Sequence, residues 1–156
     1  MVRVGATAVM VAVTTIGVVG GSAPAFGARL SKGSPMSKSQ FIKTGDDICR
    51  QGNQLVAQAV AQVLPSTVVA PTAPQLAQLS TAIVPIYRQE LQGIRALVPP
   101  KADRSKIKKM LDSFATGIKA VQAHSELLLN PTTNRSIATS SKLAKRYGFT
   151  VCGVFS

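Results

Sequence analysis

Apolar and small side chains recur at helical spacing over residues 41–64. Ser37 and Gln40 precede them with the spacing of a capping box, in which two side chains satisfy amides at a helix start. Pro65 then interrupts the pattern. The sequence therefore predicts a first helix from Ser37 to Leu64, whose two glycines allow a neighbour to approach closely. Its predicted inner face has steps of four and three residues: Phe41, Gly45, Ile48, Gly52, Leu55 and Ala59.

A second helix is predicted after a proline-punctuated linker over residues 65–71. Thr72 and Gln75 repeat the capping-box spacing, and Pro74 suits the first turn. The register of the apolar face slips by one residue after Pro85, where we expect a kink because proline donates no backbone hydrogen bond. Pro99 ends this helix. Its predicted inner face is Leu76, Leu79, Ile83, Ile86, Leu91, Ile94 and Val98.

The third predicted helix starts near Asp103, a favourable N-cap residue, and runs to Asn130. A shorter fourth helix follows from about Thr133 to Tyr147, with Gly148 where a left-handed C-terminal cap belongs. Short connections place consecutive helices antiparallel, so the predicted fold class is all-α, a four-helix, up-down antiparallel bundle. The third helix has the clearest inner face: Ile107, Leu111, Phe114, Ile118, Val121 and Leu128.

The first 27 residues have the pattern of a secretory signal peptide. Arg3 precedes an uncharged run over residues 4–19, and small residues follow, so we expect cleavage after Ala25 or after Gly27. The uncharged run is shorter than a membrane span of about 20 residues, and an uncleaved anchor is the alternative. The expected protein is secreted, extracellular or in the cell envelope. Its predicted parts are a signal peptide (1–27), a flexible basic segment (28–36) and a single bundle domain (37–156).

Export changes the interpretation of the two cysteines, Cys49 and Cys152, which are the only ones in the sequence. An oxidising compartment allows such a pair to persist as a disulfide. A catalytic or metal-binding thiol would need a neighbouring His, a Cys-x-x-Cys spacing or further ligands, and the sequence offers none. We therefore predict a disulfide that ties the first helix to the C-terminus. In the loop-closure description, a loop of about 100 residues gives about 4.7 kcal/mol of stabilisation.

Three short stretches carry a family resemblance. They are Phe41-Ile42 with Asp46-Asp47-Ile48-Cys49-Arg50, the Val98-Pro99-Pro100 break, and the terminal Tyr147-Gly148-Phe149-Thr150-Val151-Cys152-Gly153. With them the chain resembles a group of small exported actinobacterial helical proteins. The resemblance covers the chain after the signal peptide and implies the same bundle and disulfide, but no substrate, ligand or catalytic residue. Many of these proteins look like lipoproteins, and this sequence departs from them because its signal junction has no Cys.

The sequence contains few chemically reactive side chains. One His, two Cys and six acidic residues, with no Gly-rich phosphate loop, leave little for metal, triad or nucleotide chemistry. His124 has only Glu126 nearby in sequence. Asp46 and Asp47 diverge by about 100° on a helix, so we expect them to pair with neighbouring cations rather than share a ligand, namely Lys43 and Arg50. We predict a non-enzymatic protein with no catalytic residue, no metal site and no cofactor.

Positive charge is the feature that points to a function. The chain has 18 Lys and Arg residues against 6 Asp and Glu, a formal net charge of +12. One group of cations begins the predicted third helix, where it opposes the helix dipole, and a second group ends the fourth. Arg29, Lys32, Lys38 and Lys43 make the N-terminal part basic as well. The candidate binding residues for an anionic partner are Lys101, Arg104, Lys106, Lys108, Lys109, Lys142, Lys145 and Arg146.

Three partner classes follow from this charge. We expect an interaction protein whose basic surface associates with an anionic envelope polymer, a lipid surface or an acidic protein. A positive face that only keeps the protein soluble is the simpler explanation. The alternative function is a carrier that holds a small apolar ligand between kinked helices, with a cavity near Pro85 as its mark. Nucleic acid ranks third because aromatic side chains that stack bases are nearly absent.

Overall fold

A computed structural model of the chain describes residues 34–64, 70–130 and 133–153. These residues form four α-helices and no β-strand, which confirms the predicted all-α fold class. The predicted signal peptide, the beginning of the basic segment with Arg29 and Lys32, and most of the 65–71 linker lie outside the described residues. Two short 3₁₀-helices, Lys101–Asp103 and Ser125–Leu128, flank the third helix. The α-helices are α1 (Lys38–Val63), α2 (Ala73–Ala96), α3 (Arg104–Ala123) and α4 (Arg135–Tyr147).

Local capping explains where the helices begin. At α1 the Gln40 amide donates to the Ser37 hydroxyl over 3.3 Å, and the Ser37 amide donates to the Gln40 side chain over 3.1 Å. At α2 the Thr72 amide donates to the Gln75 side chain over 2.9 Å. Both capping-box predictions are therefore confirmed. At the end of the last helix, Gly148 follows α4 with a positive φ of 117°, the left-handed conformation that glycine adopts most easily.

Consecutive helices pack side by side: α1 on α2, α2 on α3, and α3 on α4. Hydrogen bonds between α3 and α4 establish that these two helices are antiparallel. Tyr147, at the end of α4, donates to Asp103 just before α3 over 3.1 Å, whereas Asn134, just before α4, donates to the Gly117 carbonyl over 3.0 Å. The main core lies between the helices and includes Phe41, Leu91, Ile94, Ile107, Met110, Leu111, Phe114, Ile118, Val121, Ile137 and Phe149.

The segment after α4 crosses to α1 and closes the bundle. Cys49 and Cys152 form a disulfide with their Cα atoms 5.3 Å apart, which confirms the predicted pairing. Beside it, the Asp46 carboxylate accepts hydrogen bonds from the amides of residues 150–152 over 2.9–3.0 Å. Burial raises the pKa of Asp46, but these bonds and one from the Thr150 hydroxyl together lower it by more than burial raises it, so the pKa lies below its ordinary value. The ionised carboxylate therefore holds the end of the chain on α1.

The expectation that Asp46 pairs with Lys43 and Arg50 is wrong. Only Asp47 does so, at 3.0 Å from the Lys43 amine and 2.6 Å from the Arg50 guanidinium. Asp46 and Asp47 point in different directions on the helix, so one carboxylate faces the C-terminal segment while the other faces solvent.

The end of the third helix also differs from the prediction. The α-helix stops at Ala123 rather than continuing to Asn130, because His124 leaves helical geometry with φ −138° and ψ 82°. The 3₁₀ turn that follows still places Leu127 and Leu128 against the core. α2, by contrast, continues through Pro85, which is exposed. None of the described helices has the length and apolar content of a membrane-spanning segment.

Two glycines on α1 allow the close approach that the sequence predicted. A Cβ atom on Gly45 would lie 2.6 Å from the Phe149 ring, and one on Gly52 would overlap the Glu90 carboxyl group. The buried side of α1 is turned towards Asp46 and Cys49, and Leu55 is therefore 38% exposed although the periodicity placed it inside. Close contact at Gly52 is what brings Glu90 of α2 into the interior.

Candidate anion-binding surface

The antiparallel packing of α3 and α4 brings the two predicted groups of cations to one end of the bundle. The bond from Tyr147 to Asp103 joins the end of α4 to the start of α3, and the Ser140 hydroxyl donates to the Met110 carbonyl over 3.1 Å about two turns further in. We call this surface the basic end. It consists of the eight predicted residues, all of them exposed: Lys101, Arg104, Lys106, Lys108, Lys109, Lys142, Lys145 and Arg146.

Few carboxylates oppose this charge. Asp103 lies 3.3 Å from the Lys106 amine, and Asp112 lies 2.6 Å from Lys108 and 3.2 Å from Arg95 of α2. All six acidic residues of the sequence belong to the described part of the chain, and the other four lie elsewhere in the bundle. Within that part, the remaining six cations of the basic end have no acidic side chain within 4.0 Å: Lys101, Arg104, Lys109, Lys142, Lys145 and Arg146.

The two carboxylates beside the basic end, Asp103 and Asp112, each accept hydrogen bonds from neighbouring side chains. The hydrogen bond from Lys108 and the charges of Lys108 and Arg95 hold the pKa of Asp112 below its ordinary value. Burial, followed by the hydrogen bond to Asp103, raises the pKa of Tyr147 to about 12, so its hydroxyl remains a donor to Asp103 at neutral pH. The bond from Tyr147 to Asp103 joins the end of α4 to the start of α3, and the contact between Arg95 and Asp112 joins α2 to α3.

Lys38 of α1 also belongs at this end, although the sequence did not place it with the other site residues. Its amine lies 4.7 Å from the centre of the Tyr147 ring, within the range of a cation–π contact. The contact joins residues more than a hundred positions apart, so no local sequence signal could have identified it. The positive surface therefore extends from α3 and α4 onto the start of α1.

A shallow groove of about 430 Å³ lies between α3 and the start of α4, beside the basic end. Sequence reasoning identified its lysines but not its hydroxyl groups, which are scattered along the chain. We call it the α3–α4 groove, and its lining residues are Ser105, Lys108, Lys109, Asp112, Ser113, Thr116 and Ser136.

A second open depression, of about 440 Å³, lies beside Pro85, where the sequence placed the mark of a carrier. Its lining includes hydroxyl groups of α2 and of Ser125 in the 3₁₀-helix after α3, with Arg88 and Gln122 joined by a 2.5 Å hydrogen bond across it. Only Val84, Pro85 and two alanines are apolar there. The chemistry of this lining does not suit a small apolar ligand.

The interior holds one carboxyl group that sequence reasoning missed. Glu90 is only 6% exposed, and its Oε1 atom has no hydrogen-bond partner within the described chain. It lines a cavity of about 30 Å³ between the disulfide and the core, and burial raises its pKa to about 8. Its position four residues before Ile94 and seven after Ile83, both buried, placed it on the apolar face of α2 and could have revealed it.

The remaining candidates for chemistry are dispersed. His124 lies 3.2 Å from Glu126, and both side chains are exposed. The described residues include no group of three or more His, Cys, Asp or Glu side chains arranged to hold a metal ion. Comparison with protein-family models, curated proteins and solved structures finds no match to this chain. The resemblance to exported actinobacterial helical proteins therefore stays a prediction.

Proposed function

We propose that this protein is an exported, non-enzymatic interaction protein whose basic end binds anionic components of the cell envelope. The observation that carries the proposal is the meeting of eight exposed cations at one end of the bundle, six of them without an acidic partner in the described chain. The disulfide supports the exported location, because such bonds persist in oxidising compartments.

The cations at the start of α3 argue for a function because folding does not favour them. Positive charges near a helix N-terminus oppose the helix dipole, and Arg104 and Lys108 are a like-charge pair four residues apart. Each of these effects costs a few tenths of a kcal/mol. Lys145 and Arg146 lie in the last turn of α4, where the dipole favours them. Lys106 and Lys108 offset part of this cost through ion pairs with Asp103 and Asp112. Arg104 and Lys109 are therefore the α3 cations that stability does not explain.

Electrostatic attachment accounts for the form of this surface. Long, exposed Lys and Arg side chains adapt to an irregular polymer or lipid surface, and a positive field raises the rate of encounter with anions. The attraction is screened over about 8 Å at physiological ionic strength, so the binding is expected to depend strongly on salt. An acidic protein is the other partner class that suits this surface. An anionic polymer or lipid is favoured because its binding requires no specific shape from the basic end.

The test is binding of the secreted protein to its own isolated envelope fraction. The variant Arg104→Gln/Lys108→Gln/Lys109→Gln should lose at least half of the bound fraction at low salt. A matched control removes three exposed cations away from the basic end and from the start of α4: Arg50→Gln/Arg88→Gln/Lys119→Gln. Equal losses in the two variants would mean that only net charge matters, and no loss in either would contradict the proposal. Circular dichroism of both variants checks that the bundle is intact.

The carrier function gains less support. The depression beside Pro85 is lined largely by polar groups, and the cavity at Glu90 is only about 30 Å³. Neither fits an apolar ligand of ordinary size, because such pockets usually measure several hundred Å³ and are mainly apolar.

A further inference from the structure

The α3–α4 groove has an unusual supply of free hydrogen-bond donors. Several helix hydroxyls of this bundle donate to the carbonyl four residues earlier, as Thr81, Thr139 and Ser141 do, and Thr116 of the groove does the same. Ser105, Ser113 and Ser136 line the groove and make no hydrogen bond to the described chain. Three hydroxyl groups therefore remain available to a ligand in the groove.

The ammonium groups of the groove add charge to these hydroxyls. Lys109 has no acidic side chain within 4.0 Å in the described chain, and Lys108 is shared with Asp112. Asp112 is the one carboxylate of the lining, and it is neutralised from two sides because Arg95 also contacts it over 3.2 Å. The groove therefore keeps a net positive charge despite the carboxylate.

The start of α4 contributes to the same place. Ser136 is the second residue of α4, where backbone amides have no partner within the helix and the helix dipole is positive. Asn134 caps the amide of Ile137 over 3.2 Å and leaves the two amides before it to other acceptors. Both the side chain and the backbone at Ser136 thus favour an anion.

We propose that the α3–α4 groove binds phosphate groups, so that the basic end prefers phosphate-bearing to carboxylate-bearing polymers or lipids. The inference rests on the proposed function and adds its ligand chemistry. A tetrahedral phosphate has oxygens pointing in several directions and is suited to separate donors from hydroxyls, a lysine and a helix start. A carboxylate has only two oxygens, which lie in one plane, so it can accept hydrogen bonds from fewer of the separate lysine and serine donors of this lining.

The experiment compares two supports of equal charge density, phosphocellulose and carboxymethylcellulose. The wild-type protein should elute from phosphocellulose at a clearly higher salt concentration, which corresponds to an affinity ratio of about fivefold. The variant Ser113→Ala/Ser136→Ala should reduce this ratio to nearly one and leave elution from carboxymethylcellulose unchanged. The matched control Ser39→Ala/Thr81→Ala removes two exposed hydroxyls outside the groove and should keep the ratio.

The outcomes separate this inference from the function on which it rests. Equal binding to both supports overturns the phosphate preference but leaves electrostatic attachment standing, whereas no binding to either support at low salt contradicts both. An unchanged ratio in the Ser113→Ala/Ser136→Ala variant overturns the assignment to the groove. Phosphatidylglycerol vesicles and dissolved polyphosphate then identify the source: binding to either supports phosphate recognition, and binding to neither overturns it.

Discussion

Replacing Glu90 with Gln should stabilise the bundle at neutral and alkaline pH. The substitution keeps the shape of a side chain that is 6% exposed and packed against Gly52, and it removes the ability to ionise. The Glu90 carboxyl titrates alone in its cavity, since the other residues that line the cavity carry no charge. Burial followed by the charge of Glu90 raises the pKa of Tyr87 to about 12, so Tyr87 stays neutral in this range.

The magnitude follows from the pKa of Glu90. Folding raises this pKa from 4.5 to about 8. A raised pKa means that the folded state holds its proton longer than the unfolded state does, so stability is full below about pH 4.5 and is lost as the pH rises towards 8. A shift of about three units or more corresponds to roughly 4–5 kcal/mol as an upper bound. Such a loss is a large part of the 5–15 kcal/mol that is typical of a domain.

The assay is urea unfolding followed by circular dichroism at each pH unit from 5 to 9, with the disulfide intact. The wild-type free energy of unfolding should fall by several kcal/mol across this range, and the Glu90→Gln variant should show only a small part of that fall. Glu126→Gln is the matched control. Because Glu126 is exposed, this substitution should leave the dependence of the free energy of unfolding on pH nearly the same as in the wild type. Parallel profiles for the wild type and Glu90→Gln would refute the reasoning.

Two further substitutions test how the C-terminal segment is held on α1. Asp46→Asn should lower the free energy of unfolding at pH 7 by about 2 kcal/mol, because the carboxylate accepts charge-assisted bonds from residues 150–152. Because the pKa of Asp46 is lowered in the folded protein, its carboxylate adds stability above the ordinary pKa, and this stability is lost in acid. The Asp46→Asn variant lacks this group, so its free energy of unfolding should fall less below pH 4 than that of the Asp47→Asn variant. Replacing Cys49 and Cys152 with Ser should cost about 2–4 kcal/mol in urea unfolding and keep the helical far-ultraviolet spectrum; complete loss of helicity would contradict a bundle with its own core.

Local patterns made the helices and their starts predictable from the sequence. Capping boxes and apolar periodicity depend on residues within one or two turns, so Ser37 and Thr72 were identified correctly. The partners of Asp46 are more than a hundred residues away, and no local pattern distinguishes it from Asp47. The end of α3 was missed because Leu128 keeps its inward position in either an α-helix or a 3₁₀ turn.

The candidate site divides in the same way. The density of Lys and Arg near residue 104 was visible in the sequence, but its meeting with Lys145 and Arg146 depends on the register between α3 and α4, which Tyr147 and Asp103 set. The hydroxyls of the α3–α4 groove carry no recognisable motif, so only the packed helices bring Ser136 to the groove that Ser113 lines.

The most direct test of electrostatic attachment by the basic end is the slope of log affinity for isolated envelope against log salt concentration. Each cation that contacts the anionic surface should add about one unit to this slope, by analogy with phosphate contacts to nucleic acids. The slope should become shallower by two to three units, to order of magnitude, in Arg104→Gln/Lys108→Gln/Lys109→Gln. It should remain near the wild-type value in Arg50→Gln/Arg88→Gln/Lys119→Gln. A slope near zero for the wild type, or the same slope in all three proteins, would contradict the account.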